Sequence, residues 1–491
     1  MIIQKSSAYI VSLLICVMPC LAQNTTNGST DYFFETTGSA TNGKHTPFWI
    51  VSNKYGTVPL DVGNAYLRTG VFHNQTFGNG LHWSAGIDML AATPRYRNVY
   101  VQQFYTALQY KNLNLTIGSK ESYHSLLSKD LSSGDLVVSG NTRPIPEINL
   151  SIPRFTKIPY TKGRLHFRGN IAHGQSFDSR YLQSYSNEKT NYVENVLWHH
   201  KSLHIRLLDP INKIPLTAVA GIRHHAQWGG TSTNPTIGKQ PRSFKDLARI
   251  FLVMSGGEDA TLSDQANVLG NHYGSYDIRL GYLNPKFDVH IYTQHFFEDG
   301  SGMELYNVPD GLYGVQFDIP NFLPANKIVA EFLLTRHQSG PIHHLFYDHD
   351  KYPGYGGGND NYYNNGEYQT GVSYFNRSIG SPLITSPEYN DNGDLGFQNN
   401  RIRAFHFGVQ GYLSKQVSYR ILATSSEGWG TMYKPFLKKE KNLMCAAKIS
   451  YCHPRLGGWL FSGEVAADSG ASYGNNTGIS LSILRSFTNA K

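Results

Sequence analysis

Apolar and polar residues alternate with period two along nearly the whole chain. Leu81, Trp83, Ala85, Ile87 and Met89 fall on one face of an extended segment, and His82, Ser84, Gly86 and Asp88 on the other. The same alternation returns at Leu113–Ile117, Leu165–Ile171, Leu203–Leu207, Tyr276–Tyr282, Phe287–Ile291, Val417–Ala423 and Ile479–Ile483. Charged residues such as Asp88, Arg168, Arg206, Asp277 and Arg279 keep to the non-apolar face. In a large β-sandwich or propeller that face meets solvent; in a barrel it lines the lumen, and periodicity alone does not separate the two. Two features favour a transmembrane antiparallel β-barrel: the segments recur along almost the entire chain, and the last ends near the C-terminus on an aromatic, Phe487. Tyr100, Tyr110 and Tyr282, at segment ends, suit the aromatic girdles of such a barrel.

Two stretches break the pattern. In residues 243–254, Phe244, Leu247, Ala248, Phe251 and Leu252 recur at helical spacing, with Ser243 as N-cap and Gly256 as the stop. The expectation is a small amphipathic helix packed against a barrel end. Residues 338–365 are rich in Gly, Asn and Tyr and read as a long loop, the kind of element that more often carries function than a tight turn does.

Composition supports the barrel. Tyr (32), Phe (25) and Gly (48) are abundant, and charged residues make up only 16%. No run of about 18 apolar residues follows the N-terminus, so no transmembrane helix is expected beyond it. At the N-terminus, Lys5, the apolar stretch Ala8–Cys20 and the small residues Cys20 and Ala22 form a secretory signal pattern, with cleavage before Gln23. Acylation of Cys20 is the weaker alternative, because Met18 and Pro19 fit poorly before it. Residues 1–22 are thus read as a signal peptide, 23–63 as a segment leading into the barrel and 64–491 as the barrel. Cys445 and Cys452 lie an odd number of positions apart, so on one strand they face opposite sides and do not pair. The formal net charge of +8 permits an acidic partner without demanding one.

Chemical motifs are sparse. Gly470-Ala-Ser472-Tyr-Gly474 matches G-x-S-x-G, but no Asp, Glu or His follows it, so it reads as a hairpin turn and not as a nucleophile elbow. The His343–Asp350 cluster lacks the patterns of zinc and calcium sites, and the pairs His199-His200 and His224-His225 point apart on a strand. No catalytic residue, metal or cofactor is expected. Sugar recognition combines flat aromatic faces with polar groups for hydroxyls and acids. The residues with that mixture are Arg223, His225, Trp228, Tyr352, Tyr355, Tyr362, Tyr363 and Trp429.

A broader resemblance runs through Thr46-Pro-Phe-Trp-Ile-Val-Ser-Asn53-Lys-Tyr-Gly56, Ser139-Gly-Asn-Thr-Arg143-Pro-Ile-Pro-Glu147, His225-Ala-Gln-Trp228-Gly-Gly230, Asp264–Asp277, Gln294–Gly300, Gln338–Pro341, Asn400–Arg403 and Ala466–Gly470. In these the chain resembles the Wzi-type capsule assembly proteins, in the form found in Bacteroides-like bacteria. The resemblance implies an outer-membrane barrel of about 18 strands, or roughly 26 residues per strand and connection. It also implies a small periplasmic helical element, which residues 243–254 could supply in part. It implies non-covalent, lectin-like retention of capsular or other surface polysaccharide. Expected partners are that polysaccharide, outer-membrane lipid and the barrel assembly machinery, and not nucleic acid. A porin or polysaccharide channel is the alternative, and ion conductance separates the two.

Overall fold

The computed structural model describes residues 25–490 apart from 95–98, 187–189, 212 and 339–359. The signal segment 1–22 lies outside the described residues. Eighteen strands form one closed antiparallel sheet. They are β1 (Thr25–Asn42), β2 (Asn64–Phe77), β3 (Leu81–Thr93), β4 (Val99–Tyr110), β5 (Leu113–Ser119), β6 (Glu147–Lys157), β7 (Leu165–Gln175), β8 (Leu197–Leu208) and β9 (Leu216–Trp228). The second half holds β10 (Asn271–Leu283), β11 (Asp288–Phe297), β12 (Gly311–Asp318), β13 (Lys327–Leu334), β14 (Ile402–Tyr412), β15 (Val417–Gly430), β16 (Pro435–Cys452), β17 (Trp459–Gly470) and β18 (Asn476–Ala490). Each strand pairs with the next, and β1 also pairs with β18, so no edge is left open. At this seam Tyr32 stacks on Phe487 with ring centroids 5.0 Å apart.

The alternation seen in the sequence is the wall's inside–outside code. Ile87, Met89, Leu203, Ile205, Ile278, Leu280, Ile291, Ile479 and Leu481 are all exposed on the outer face. Their neighbours Asp88, His204, Asp277 and Ser480 are buried on the inner one. An outward apolar belt around a polar interior is the arrangement a bilayer selects. Among the described residues no helix is long and apolar enough to cross a membrane, so the strands do the crossing.

One boundary differs from expectation. Residues 23–63 do not merely lead into the barrel, because Thr25–Asn42 is a wall strand. Its sequence is mostly Thr, Ser, Gly and Asn, so the hydrophobic alternation is silent there. Its place is set instead by ladders to both neighbours.

Both ends of the described chain and the turns 78–80, 111–112, 284–287 and 413–416 share one end of the barrel, and the long connections 43–63, 120–146, 176–196, 229–270 and 335–401 share the other with the short turns 431–434 and 471–475. In this class the short turns face the periplasm and the long connections face outward. The long connections carry the helices used below: α1 (Phe48–Val51), α2 (Ser179–Tyr185), α3 (Phe244–Leu252) and α4 (Leu262–Ala266). Ser243 caps α3 in a reciprocal capping box with Asp246, and Val253 ends it in the left-handed region, three residues before Gly256. The helix implied at the periplasmic end therefore lies at the opposite end. Leu247 and Ile250 of α3 pack on Leu197, Ala226 and Trp228. Those three point outward, since Arg223 and Gln227 on alternate positions bond to groups inside the lumen. Thus α3 lies against the outer wall through Leu247 and Ile250, while Phe244, Phe251 and Leu252 of its apolar stripe stay exposed.

Cys445 and Cys452 both sit on β16 and are free, as their spacing requires. Gly470–Gly474 spans the end of β17 and the turn into β18, as expected of a hairpin.

Candidate functional site

Three long connections turn back into the barrel and form a core there. The loop 43–63 contributes α1, whose Phe48, Trp49, Ile50 and Val51 are all buried. The loop 120–146 contributes Leu127, Leu131, Leu136 and Val137, and the loop 360–401 contributes Tyr362, Tyr363, Tyr368, Val372 and Ile384. They pack on lumen-facing wall residues, among them Leu90, Tyr273, Phe296, Leu333 and Met444.

Polar staples fix this plug to the wall. Arg223 on β9 pairs with Asp135 of the plug at 2.9 Å and with Asp277 of β10 at 2.9 Å. The Asp135 carboxylate also accepts from the Val137 and Val138 amides at 2.8 and 3.1 Å. Glu331 on β13 accepts from the Ser133 amide at 2.7 Å and from the Tyr292 hydroxyl at 2.6 Å. His406 on β14 bonds the Leu131 carbonyl at 2.7 Å. The plug segments also lock to each other: the Tyr363 hydroxyl donates to the Leu136 carbonyl and accepts from the Ser381 amide at 3.0 Å. A Cβ on Gly380 would stand 2.0 Å from that hydroxyl, so only glycine fits there.

The site that remains open is a cavity of about 1500 Å³ at the long-loop end. It exists because β5 is short, seven residues from Leu113 to Ser119. The β4–β5 ladder stops at Phe104↔Ser119, while the β3–β4 ladder continues to Ala91↔Val99. Above that level β4 has no ladder partner on its β5 side from Val99 to Gln103, which leaves a gap in the wall. The segment Ser139–Glu147 crosses it. Asn141 donates to the Ser378 carbonyl at 3.1 Å, and Thr142 donates to the Tyr374 carbonyl at 2.9 Å. Ser119 donates to the Pro144 carbonyl at 2.8 Å. Pro144 and Pro146 lack the N–H groups a ladder needs, which is why the wall cannot continue here. Arg143 takes the place of a strand: it donates to the Val101 carbonyl on the open edge of β4 at 2.7 Å. Its guanidinium lies 4.0 Å from the Tyr100 ring centre and 4.6 Å from that of Phe375.

Helix α2 forms the facing bank. Tyr181 stacks on Tyr185 at 5.7 Å and tilts against Phe375 at 5.3 Å. Asp178, at the helix N-terminus, accepts from the Phe375 amide at 3.1 Å. Burial pushes its carboxyl up to about 6, with the Phe375 amide acting in the opposite sense. Across the cavity, burial and then Lys44 hold the His45 imidazole below its ordinary range. The lining is therefore aromatic and cationic: Tyr100, Tyr181, Tyr185 and Phe375 with Lys44, Arg143, Arg180 and Arg377. Its acids are Asp61 and Glu388, the latter held by Arg377 at 2.9 Å.

Most of the sequence-derived sugar candidates lie elsewhere. Arg223 is spent on the plug staple, and His225 stacks between His200 and Tyr273 in the lumen. Trp228 is buried under α3, and Tyr362 and Tyr363 are wholly buried in the plug. Trp429 alone among the described candidates is partly exposed, with the Arg336 guanidinium 4.0 Å over its ring. Tyr352, Tyr355 and the His343–Asp350 cluster lie outside the described residues. Tyr100, offered for the girdle, belongs to the cavity instead. Among the described residues no cluster of His, Cys, Asp or Glu is arranged to hold a metal ion.

The class defined by this fold is the transmembrane β-barrel of the outer-membrane type, here with a plugged lumen and a cavity set into its wall. Within that class, residues 23–385 match the model of the capsule assembly protein Wzi, and the chain belongs to that family. No curated protein matches it. Among solved structures it is similar to Wzi of Escherichia coli, an outer-membrane protein involved in group 1 capsule assembly and described as a carbohydrate-binding β-barrel. That likeness has a TM-score of 0.55 at 13% identity, covering 98% of this chain and 88% of the other. It is also similar to OccK5 of Pseudomonas aeruginosa, with a TM-score of 0.47 at 8% identity over 94% of this chain and 98% of that one. For OccAB4 of Acinetobacter baumannii the TM-score is 0.46 at 8% identity, over 95% and 99%.

Proposed function

We propose that this protein binds surface polysaccharide at its long-loop end and retains it on the cell, without turnover. The observation that carries this reading is the wall cavity, which joins flat aromatic rings with cations in a barrel whose long-loop half is otherwise packed. Tyr181, Tyr185 and Phe375 offer faces for the apolar side of a sugar ring, and Arg143 and Arg180 suit uronic or other acidic groups. Membership of a capsule assembly family supports the same reading, as does the carbohydrate binding of the E. coli relative. The apolar plug packed in the lumen among the described residues speaks against a diffusion channel.

The test compares cell-bound with shed polysaccharide in a deletion strain, in the complemented strain, and in a strain carrying Tyr181→Ala with Arg180→Ala. Polymer that is still made but shed by the deletion and by the double variant supports retention through this cavity. An unchanged distribution in the deletion strain overturns the role.

A further inference from the structure

The wall cavity is open sideways. Met89, Val99, Val101 and Phe104 line it, yet all four point outward from the barrel and are 41%, 56%, 42% and 58% exposed. They continue the apolar belt through Ile87, the next outward residue along β3. The polar bank stands at the same opening. Arg143 uses one of its five N–H donors on the Val101 carbonyl, and among the described residues it makes no ion pair. Arg180 is exposed on α2. Lys44 pairs with Asp391 and Arg377 with Glu388, so the lining cations left for a ligand are Arg143 and Arg180, against Asp61.

A free, fully hydrated polysaccharide has no use for that apolar flank. A ligand with both parts does: an acyl chain for the outer flank and an acidic sugar for the arginines. We infer that the cavity takes an acyl-anchored, acidic glycan, with its chain along Val99, Val101 and Phe104 and its anionic head at Arg143 and Arg180. This rests on the polysaccharide-binding reading and specifies the form in which the glycan arrives. Two sources share the chemistry, the phosphorylated lipopolysaccharide of the leaflet and an acyl-anchored end of the surface polymer.

Two measurements on the full-length barrel test it. In the first, benzoylphenylalanine replaces Val101 or Phe104, with the outward Ile205 on β8, four strands away, as control, and cells are irradiated. The expected result is a glycolipid adduct several-fold stronger at 101 and 104 than at 205, and lost in Arg180→Glu. Equal labelling at all three positions, or labelling indifferent to Arg180→Glu, overturns the inference. The mass of the adduct separates the sources, since lipid A phosphates mark lipopolysaccharide and polymer repeats mark the anchored polysaccharide. In the second, the barrel in lipid nanodiscs is titrated with rough-type lipopolysaccharide, with the same material after complete deacylation, and with purified, acyl-free surface polymer. Counted over empty nanodiscs of the same lipid, the acylated probe should bind several-fold more tightly than its deacylated form. If deacylated probe or free polymer binds as tightly as the acylated one, the acyl requirement fails while polysaccharide binding stands. If no probe binds, both fail.

Discussion

Arg223 on β9 and Asp135 in the loop after β5 meet at 2.9 Å inside the barrel, a wall cation holding a plug anion far from it in sequence. Both are buried, so neither loses its partner to water without cost. Asp135→Ala should strip the Val137 and Val138 amides of their acceptor and leave Arg223 with Asp277 alone. The expected loss is about 3 kcal/mol of plug docking, read as a lower unfolding temperature and faster amide exchange in residues 131–139.

Ion conductance follows from the same packing. The intact barrel should show no steady current in planar bilayers. Replacing residues 122–142 by a Gly-Ser linker of equal length removes the Leu131, Leu136 and Val137 layer and should produce discrete conducting steps. A steady current from the intact protein would instead favour the channel reading.

Trp228 separates structure from binding. It lies between the outer wall and α3. Trp228→Ala should cost about 3–5 kcal/mol of local packing, visible as protease nicking in residues 243–267, with polysaccharide affinity unchanged. Tyr181→Ala should do the reverse, lowering affinity several-fold with the unfolding temperature nearly constant.

The α2 contact should depend on pH. The Asp178 carboxyl has a folded value of about 6 against 3.8 when unperturbed. Below about pH 4 both states carry the proton and the group leaves the balance untouched. Between about pH 4 and 6 the folded state keeps a proton that the unfolded state gives up, so the docked state of α2 loses stability as pH rises, through the cost of burying the charged carboxylate, and levels off above 6. Amide exchange at Phe375 should speed up across that window, and Asp178→Asn should flatten the profile.

Much of the wall was legible from the chain. The faces assigned at Leu81–Met89, Leu203–Leu207 and Tyr276–Tyr282 are the outer and inner faces observed, because a bilayer outside and a polar lumen inside impose a strict period of two. The family resemblance supplied the strand number, which periodicity alone did not. The first strand escaped because Thr, Ser and Gly carry little hydrophobic signal. The burial of most sugar candidates escaped for a different reason. Aromatics in Gly- and Asn-rich loops look alike whether they face solvent or a plug, and Tyr362 and Tyr363 turned inward to Phe296. The cavity arises from relative strand lengths, a non-local property. Two clues to it stood in the chain: the short alternation at Leu113–Ile117, and two prolines in Arg143-Pro-Ile-Pro-Glu147 where a strand top would otherwise run.

The short β5 also changes the dimensionality of encounter. An opening in the side of a barrel samples the plane of the leaflet, so its occupancy follows the number of ligand molecules per unit area of envelope and hardly at all their concentration in the medium. Washing or diluting cells would leave it filled, whereas altering the lateral crowding or fluidity of the leaflet would change how fast it fills.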